Sequence, residues 1–220
     1  MKNKVDLVII RYVCIIEGRA GRKEGMKKAL ILAMMLLMMC LCACTEQKPE
    51  DIGSTTVYVR KDGSITATFV EDFSQPHYDM TELQTATEAD IAEYNAEAGE
   101  GSSEMTFFEV EGNIAKMQLD FANADAYTDF IGEKAFVGTI AEALEAGWDL
   151  DVSLTNPLDA EDMIGEHELL TMQDTSIVIV ENAVRVRTEG KMLYMSSDAK
   201  YIDEYEVDGY DNPDITVILY

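Results

Sequence analysis

Residues 56–71 read TVYVRKDGSITATFVE, and this stretch indicates the fold class. Two β-rich runs flank the Asp62-Gly63 pair, and Asp-Gly between such runs is a strong β-hairpin signal. In the second run Ile65, Ala67 and Phe69 alternate with polar residues. Because successive side chains of a strand point to opposite faces, this alternation predicts a sheet with one buried face.

The rest of the chain adds further strands. A second hairpin is predicted across Gly112, between residues 105–110 and 114–121, since the second run alternates apolar and polar residues. Residues 176–180, SIVIV, have the composition of a central strand. Further strands are predicted at residues 184–188 and 191–196, paired with each other across Glu189-Gly190, and at residues 215–220. Residues 149–165 are acidic and are expected to be irregular.

A long helix is predicted over about residues 79–98. Asp79 can cap its first turn and Gly99 can end it. Apolar residues recur every three or four positions and line one helical face, which can pack on the sheet or bind a partner. The residues of this stripe are Met80, Leu83, Thr87, Ile91, Tyr94 and Ala98.

Short helices are predicted at residues 124–130 and 140–146. Thr139 and Glu142 form a capping box for the second of these helices. The predicted fold class is therefore α+β, an antiparallel sheet of β-hairpins with the long and short helices (about 79–98 and 140–146) packed against it. Residues 56–220 are expected to form a single domain.

The N-terminal part of the chain has the pattern of a lipoprotein export signal. A basic pair precedes the apolar run 29–41, and the small residue Ala43 precedes a cysteine. The predicted lipobox is Leu41, Cys42, Ala43 and Cys44, with cleavage between Ala43 and Cys44 and a diacylglyceryl group on the Cys44 thiol. The apolar run is shorter than the ~20 residues that span a bilayer, which argues against a retained membrane helix.

Three segments precede the folded domain in this interpretation. Residues 1–43 are the signal peptide, with translation starting either at Met1, which gives an unusually long basic region, or at Met26. Residues 44–55 are the lipidated cysteine and a polar, flexible tether. The protein is thus expected at the extracytoplasmic face of the cell membrane, held there by its lipid anchor.

Charge and cysteine content narrow the function classes. The predicted signal peptide contains 8 Lys and Arg and 3 Asp and Glu. Its removal leaves a mature chain with 9 basic and 39 acidic residues and a net charge of −30. Such a chain is repelled by nucleic acids and by anionic lipid surfaces. All four cysteines, Cys14, Cys40, Cys42 and Cys44, lie at or before the predicted cut, so disulfides and thiolate chemistry are not expected in the mature domain.

Catalytic motifs are missing from the sequence. The two histidines, His77 and His167, lie in neither a nucleophile elbow nor a zinc-binding helix motif, and we interpret both as surface residues. Trp148 can be a ligand platform or can close the edge of the core. Carboxylate pairs are too abundant at this acidity to single one out, so no catalytic residue is predicted.

One acidic cluster is a candidate metal site. Residues 208–214 read DGYDNPD, and Asp208, Asp211 and Asp214 could offer carboxylate oxygens to calcium, which takes six to eight oxygen ligands. The spacing differs from that of an EF-hand loop. A plain acidic turn is the alternative interpretation of this segment.

Four motifs resemble a known group of proteins. They are YNAEAG at residues 94–99, AYTDF at 126–130, FVGTIAEA at 136–143 and KMLYMS at 191–196. Together they resemble small surface lipoproteins of clostridial, gut-type Gram-positive bacteria, over most of residues 58–196. The resemblance implies a cell-surface location and carries over no catalytic residue.

The sequence therefore predicts a membrane-anchored, extracytoplasmic lipoprotein whose domain is a non-catalytic binding or structural module of the cell envelope. Its expected partners are the membrane, through the diacylglyceryl anchor, and an envelope protein or ligand, with nucleic acids excluded by charge. Two alternatives stay open: an extracytoplasmic calcium-binding protein, and an enzyme with a carboxylate site that has no recognisable motif.

Overall fold

The computed structural model describes residues 48–181, 184–210 and 215–220. Their strands are β1 (Thr56–Val59), β2 (Ile65–Asp72), β3 (Ser103–Glu111), β4 (Ile114–Phe121), β5 (Ala135–Thr139), β6 (Leu154–Asn156), β7 (Asp159–Ile164), β8 (Ser176–Glu181), β9 (Arg185–Thr188), β10 (Tyr194–Ser196), β11 (Lys200–Asp203), β12 (Glu206–Asp208) and β13 (Ile215–Leu219). Their helices are the 3₁₀ turn Pro49–Asp51, α1 (Met80–Ala98), α2 (Ala124–Ile131), α3 (Ile140–Glu145) and α4 (Glu166–Leu169). None of these helices is long and apolar enough to cross a membrane.

The predicted α+β class is confirmed, with two sheets in place of one. The first sheet has the strand order β11-β12-β9-β1-β2-β4-β3, and the second has the order β5-β8-β13-β10-β6-β7. Both predicted hairpins form: β1 pairs antiparallel with β2, and β3 with β4. The first sheet also contains one parallel pair, β1 with β9, in which Val57 lies opposite Val186.

Strands β8 and β13 of the second sheet are buried on both faces. Val178 and Val180 of β8 belong to a first hydrophobic core, which also contains residues of the first sheet such as Val57 and Ile65. Ile177 and Ile179 alternate with them and belong to a second core. In that second core they pack with Val217 and Leu219 of β13, Ile140 and Ala143 of α3, and Leu169 of α4. Because neighbouring residues of a strand face opposite sides, β8 separates the two cores, and its uninterrupted apolar run follows from that position.

The helix α1 is mostly exposed. Of its predicted apolar stripe, Ile91 is buried, Leu83, Thr87 and Tyr94 are half-buried, and Met80 and Ala98 are exposed. The Asn95 side chain fastens the helix to β3 by donating to the Ser103 carbonyl at 2.8 Å and accepting from the Ser103 N–H at 2.9 Å. The stripe is incomplete because α1 packs chiefly on β3, the strand at the edge of the first sheet.

An aromatic cluster joins both longer helices to the first sheet. Phe121 of β4 meets Tyr127 edge-on, with ring centroids 5.5 Å apart, and meets Phe130 at 5.8 Å. Tyr94 of α1 in turn contacts Phe130 of α2 at 5.6 Å. Edge-to-face contacts of this kind stabilise aromatic pairs beyond their burial alone.

Two details of the predicted strand arrangement are wrong. Residues 185–188 and 194–196 do not pair, because β9 belongs to the first sheet and β10 to the second, and Gly190 lies on the connection between them. The segment 149–165, expected to be irregular, contains the antiparallel pair β6–β7. Leu154 and Ile164 face each other in that pair and are buried in the second core, which outweighs the low strand propensity of the neighbouring acidic residues.

Candidate functional site

The candidate site is a cleft of about 390 Å³ beside the second sheet. Its walls come from the loop before β6, from the end of β10 with the turn that follows, and from the start of β13. The lining residues are Asp151, Val152, Ser153, Ser196, Ser197, Asp198 and Ile215. A volume of this size lies within the range of about 300–1,000 Å³ that is typical of ligand pockets.

Serine and threonine side chains hold the two walls of the cleft together. The Ser197 backbone N–H donates to the Ser153 carbonyl at 3.0 Å, and the Ser197 hydroxyl donates to the same carbonyl at 2.8 Å. The Ser197 Oγ also lies 3.1 Å from the Ser153 Oγ and 2.9 Å from the Thr155 Oγ1. The walls are therefore cross-linked by a local hydrogen-bond network, and such networks rigidify a site.

Ser196 forms the buried part of the lining. It is only 4% exposed, and its Oγ accepts the Val217 backbone N–H at 2.8 Å. Its neighbour Met195 pairs across the sheet with Ile218 and lies in the first core. The cleft is thus anchored on strands that are packed on both faces, so its inner surface is preformed.

Tyr194 extends the polar network along β10. Its hydroxyl donates to the Asp162 carboxylate at 3.1 Å. Burial is the main cause that raises the pKa of the Tyr194 hydroxyl above its ordinary value of 10.0, and this hydrogen bond is the second cause. At neutral pH Tyr194 therefore stays protonated and keeps its role as a donor that holds β10 to β7.

Among the described residues, the charged groups that line the cleft are the carboxylates Asp151 and Asp198. Neither of the described histidines lines it. His77 is exposed in the turn before α1, where its ring centroid lies 4.7 Å from that of Tyr78. His167 is exposed on α4, so both histidines lie at the surface, as the sequence predicted. Within the described lining the serines thus have no histidine that could act as their base.

Of the predicted calcium ligands, only Asp208 lies among the described residues. It ends β12, its Oδ2 lies 3.5 Å from the Arg185 Nε, and its Oδ1 accepts the Tyr210 N–H at 3.1 Å. Asp211 and Asp214 lie outside the described residues, so the joint site stays a prediction. Within the described ranges no three His, Cys, Asp or Glu side chains form a group that could hold a metal ion.

Asp208 belongs to a network of ion pairs on the first sheet, which sequence reasoning missed. Glu206, almost fully buried, lies 3.0 Å from Arg187 and 3.7 Å from Arg185, and Arg187 also reaches Asp203 at 3.3 Å. The available signal was the Arg-x-Arg pattern of β9, which lies opposite the Glu-x-Asp pattern of β12, a strand that the sequence analysis did not predict. A buried carboxylate paired with two arginines is a structural arrangement, and removing one partner leaves a buried charge without compensation.

Trp148 lies where the core-edge interpretation predicted. The side chain is half-buried, packs against the second core, and its ring centroid lies 6.3 Å from that of Phe136. The ligand-platform alternative places an aromatic ring in the site, and Trp148 does not line the cleft.

The lipobox residues Leu41, Cys42, Ala43 and Cys44 lie outside the described residues, and their acylation and cleavage stay predictions. The cleft itself had no sequence signal, because its aspartates and serines come from distant segments that meet only in the folded sheet.

Comparison of the chain with models of protein families, with curated proteins and with solved structures finds no match.

Proposed function

We propose that this protein is a lipid-anchored, extracytoplasmic binding module of the cell envelope, and that the cleft beside the second sheet holds its ligand. The observation that carries the binding assignment is the preformed lining of hydroxyls and carboxylates around Ser196 and Ser197. A concave surface with a few fixed polar groups is the usual form of a ligand site.

The anchor is supported by the sequence of residues 27–44, in which a basic pair, an apolar run and a cysteine after a small residue follow one another. A lipid on Cys44 would leave only the short polar segment up to Thr55 between the membrane and β1. Within this segment Pro49–Asp51 form a 3₁₀ turn, and the Glu50 carbonyl accepts a hydrogen bond from the Lys116 side chain of β4, so only residues 45–48 separate Cys44 from the folded domain and the domain would act close to the membrane surface.

A binding role is favoured over catalysis by the chemistry of the lining. A serine nucleophile needs an adjacent base, and the lining offers hydroxyls hydrogen-bonded to one another and to backbone. The two carboxylates of the lining, Asp151 and Asp198, are both exposed to solvent, whereas catalytic carboxyl groups are typically set in a buried environment.

The anchor is tested on the full chain expressed in a Gram-positive host. Membranes are isolated, and the N-terminal peptide of the protein is identified by mass spectrometry. We expect a chain that begins at Cys44 and carries a diacylglyceryl thioether, whereas the Cys44→Ala variant keeps its signal peptide and gains no lipid. A wild-type chain that begins elsewhere and carries no lipid overturns the proposal.

A further inference from the structure

We propose that the anchored domain is oriented on the membrane so that the outer face of its first sheet lies against the lipid headgroups. The outer face consists of the side chains of the first sheet that point away from the first core. They include Thr66, Thr68, Lys116, Asp120, Arg185 and Arg187. This inference rests on the proposed function, since it assigns a membrane-facing surface to the lipid-anchored domain.

The alternation of side chains along the strands determines which residues lie on the outer face. In β4, Leu119 is buried in the first core, so Lys116, three positions earlier, points to the opposite side. In β9, Val186 is buried in the same core, so Arg185 and Arg187 also point away from it. The second sheet lies on the other side of this core.

The tether joins the domain at the outer face. The Lys116 side chain donates to the Glu50 carbonyl. The Val70 backbone N–H donates to the Thr55 hydroxyl oxygen at 3.1 Å, so the chain lies against β2 and β4 before it enters β1. Because residues 45–48 alone separate the predicted lipid from this attachment, they span at most about 14 Å of extended chain. The anchor therefore holds the outer face near the membrane.

The basic residues of the domain are concentrated in and around the first sheet. Nine lysines and arginines follow Cys44, and all of them are among the described residues. Seven lie in the first sheet, directly after β1 or at the tether: Lys48, Arg60, Lys61, Lys116, Arg185, Arg187 and Lys200. The described helices and the strands of the second sheet contain no lysine or arginine. Positive charge is thus largely confined to the side of the domain that carries the tether.

Arginines neutralise acidic residues at the centre of the outer face. Arg187 Nη1 lies 3.0 Å from Glu206 Oε2, and Arg60 Nη2 lies 3.9 Å from Asp120 Oδ1. The helix α1, in contrast, contains aspartates and glutamates and no basic residue. Most of the net charge of −30 of the predicted mature chain therefore lies away from the outer face.

A bilayer that contains anionic lipids favours this orientation. Each basic residue near such a surface strengthens the attraction about fivefold, while the acidic remainder of the domain is repelled. These forces are screened beyond about 8 Å at physiological ionic strength, so the attraction acts only on a face that is already held at the surface. The short tether holds the outer face there, and the second sheet then faces away from the membrane.

The experiment uses the full chain, lipidated in a Gram-positive host and reconstituted in vesicles of equal parts phosphatidylglycerol and phosphatidylcholine. The chain has no cysteine after Cys44, so one introduced cysteine takes a fluorescent label. Ile114→Cys places the label on the outer face, and Leu158→Cys places it between β6 and β7 of the second sheet. Both positions are exposed. A lipid with a spin-labelled headgroup quenches a label that approaches the membrane surface.

Two matched variants test the contribution of charge. Lys48→Gln/Lys200→Gln removes two exposed basic residues at the tether and the first sheet. The control variant, Lys134→Gln/Lys191→Gln, removes two exposed basic residues that lie outside the first sheet. Both variants change the net charge equally, so a difference between them depends on the positions of the charges.

We expect the label at residue 114 to be quenched at least about twofold more than the label at residue 158, because the short tether keeps only the outer face at the surface. Lys48→Gln/Lys200→Gln should reduce this difference, and the control variant should leave it unchanged. Equal quenching at the two positions, stronger quenching at residue 158, or equal effects of the two variants overturns the inference.

The mass of the N-terminal peptide from the same vesicles separates this inference from the proposed function. A peptide without lipid refutes the anchor, and the inference falls with it. A lipidated Cys44 peptide together with equal quenching of the two labels refutes the orientation alone and leaves the anchor in place.

Discussion

Adjacent residues of β8 should both be essential to stability, because the strand separates two hydrophobic cores. Val178 faces the first core and Ile179 faces the second, and neither side chain has measurable solvent exposure. Replacing either residue with alanine leaves a cavity in a different core. In a sheet with one solvated face, one of the two substitutions would remove only surface contacts.

The magnitudes follow from the carbon atoms removed. Burial of a methylene group contributes about 0.8 kcal/mol, so Val178→Ala loses about 1.6 kcal/mol and Ile179→Ala about 2.4 kcal/mol before any cavity is counted. Incomplete relaxation around the cavity adds to both values, and buried Ile→Ala changes typically cost about 2–5 kcal/mol in total. Leu158→Ala is the control, because Leu158 is 74% exposed and such changes stay within about 0.5 kcal/mol.

The assay is urea unfolding of residues 45–220, followed by circular dichroism. We expect the unfolding midpoint to fall clearly in both core variants, with the slope unchanged, since an unchanged slope means that stability alone has changed. A loss below about 0.5 kcal/mol in either Val178→Ala or Ile179→Ala would refute the placement of β8 between two cores.

Three further outcomes are expected. A Cβ added at Gly190 would lie 2.1 Å from the Tyr220 ring, so Gly190→Ala should lower the free energy of unfolding in urea by about 1–3 kcal/mol. This loss should shrink in a Tyr220→Ala background, and equal losses in the two backgrounds would contradict the clash. Asn95→Ala removes both side-chain hydrogen bonds to the β3 backbone, so amide hydrogen exchange in α1 should accelerate relative to that in β8. Unchanged protection of the α1 amides would contradict the role of Asn95 in holding α1 to β3. Burial raises the pKa values of Tyr94, Tyr127, Tyr194 and Tyr220 above the ordinary value of 10.0, so the ultraviolet titration of the folded chain should extend to higher pH than that of the urea-unfolded chain. Because the unfolded chain ionises first, the free energy of unfolding should fall as pH rises through 10.0, and identical titrations of the folded and unfolded chains would contradict this burial.

Local sequence signals predicted the elements that depend on neighbouring residues. The Asp62-Gly63 turn specified the β1–β2 hairpin, and the capping box of Thr139 and Glu142 marked the start of α3. In both cases the stabilising contacts lie within a few residues, so the pattern contains the physical cause. The apolar run of β8 likewise indicated a central strand, although not that it faces two separate cores.

Contacts between distant segments could not be predicted in the same way. The alternating pattern of β9 fits any partner strand, and Gly190 fits a hairpin turn as well as the crossing between sheets that it occupies. The cleft depends on such pairings, because Ser153 and Ser197 meet only when β6 lies beside β10. Its residues therefore form no sequence motif, whereas the predicted lipobox around Cys44 consists of neighbouring residues and can be recognised as a motif.

The central proposal is that the protein is a lipid-anchored binding module of the cell envelope, and the mass of the N-terminal peptide of the membrane-bound protein tests the anchor most directly. We expect a peptide that begins at Cys44 and carries a diacylglyceryl thioether, as the order of basic pair, apolar run and cysteine predicts. A peptide that begins at another residue and carries no lipid would contradict the account.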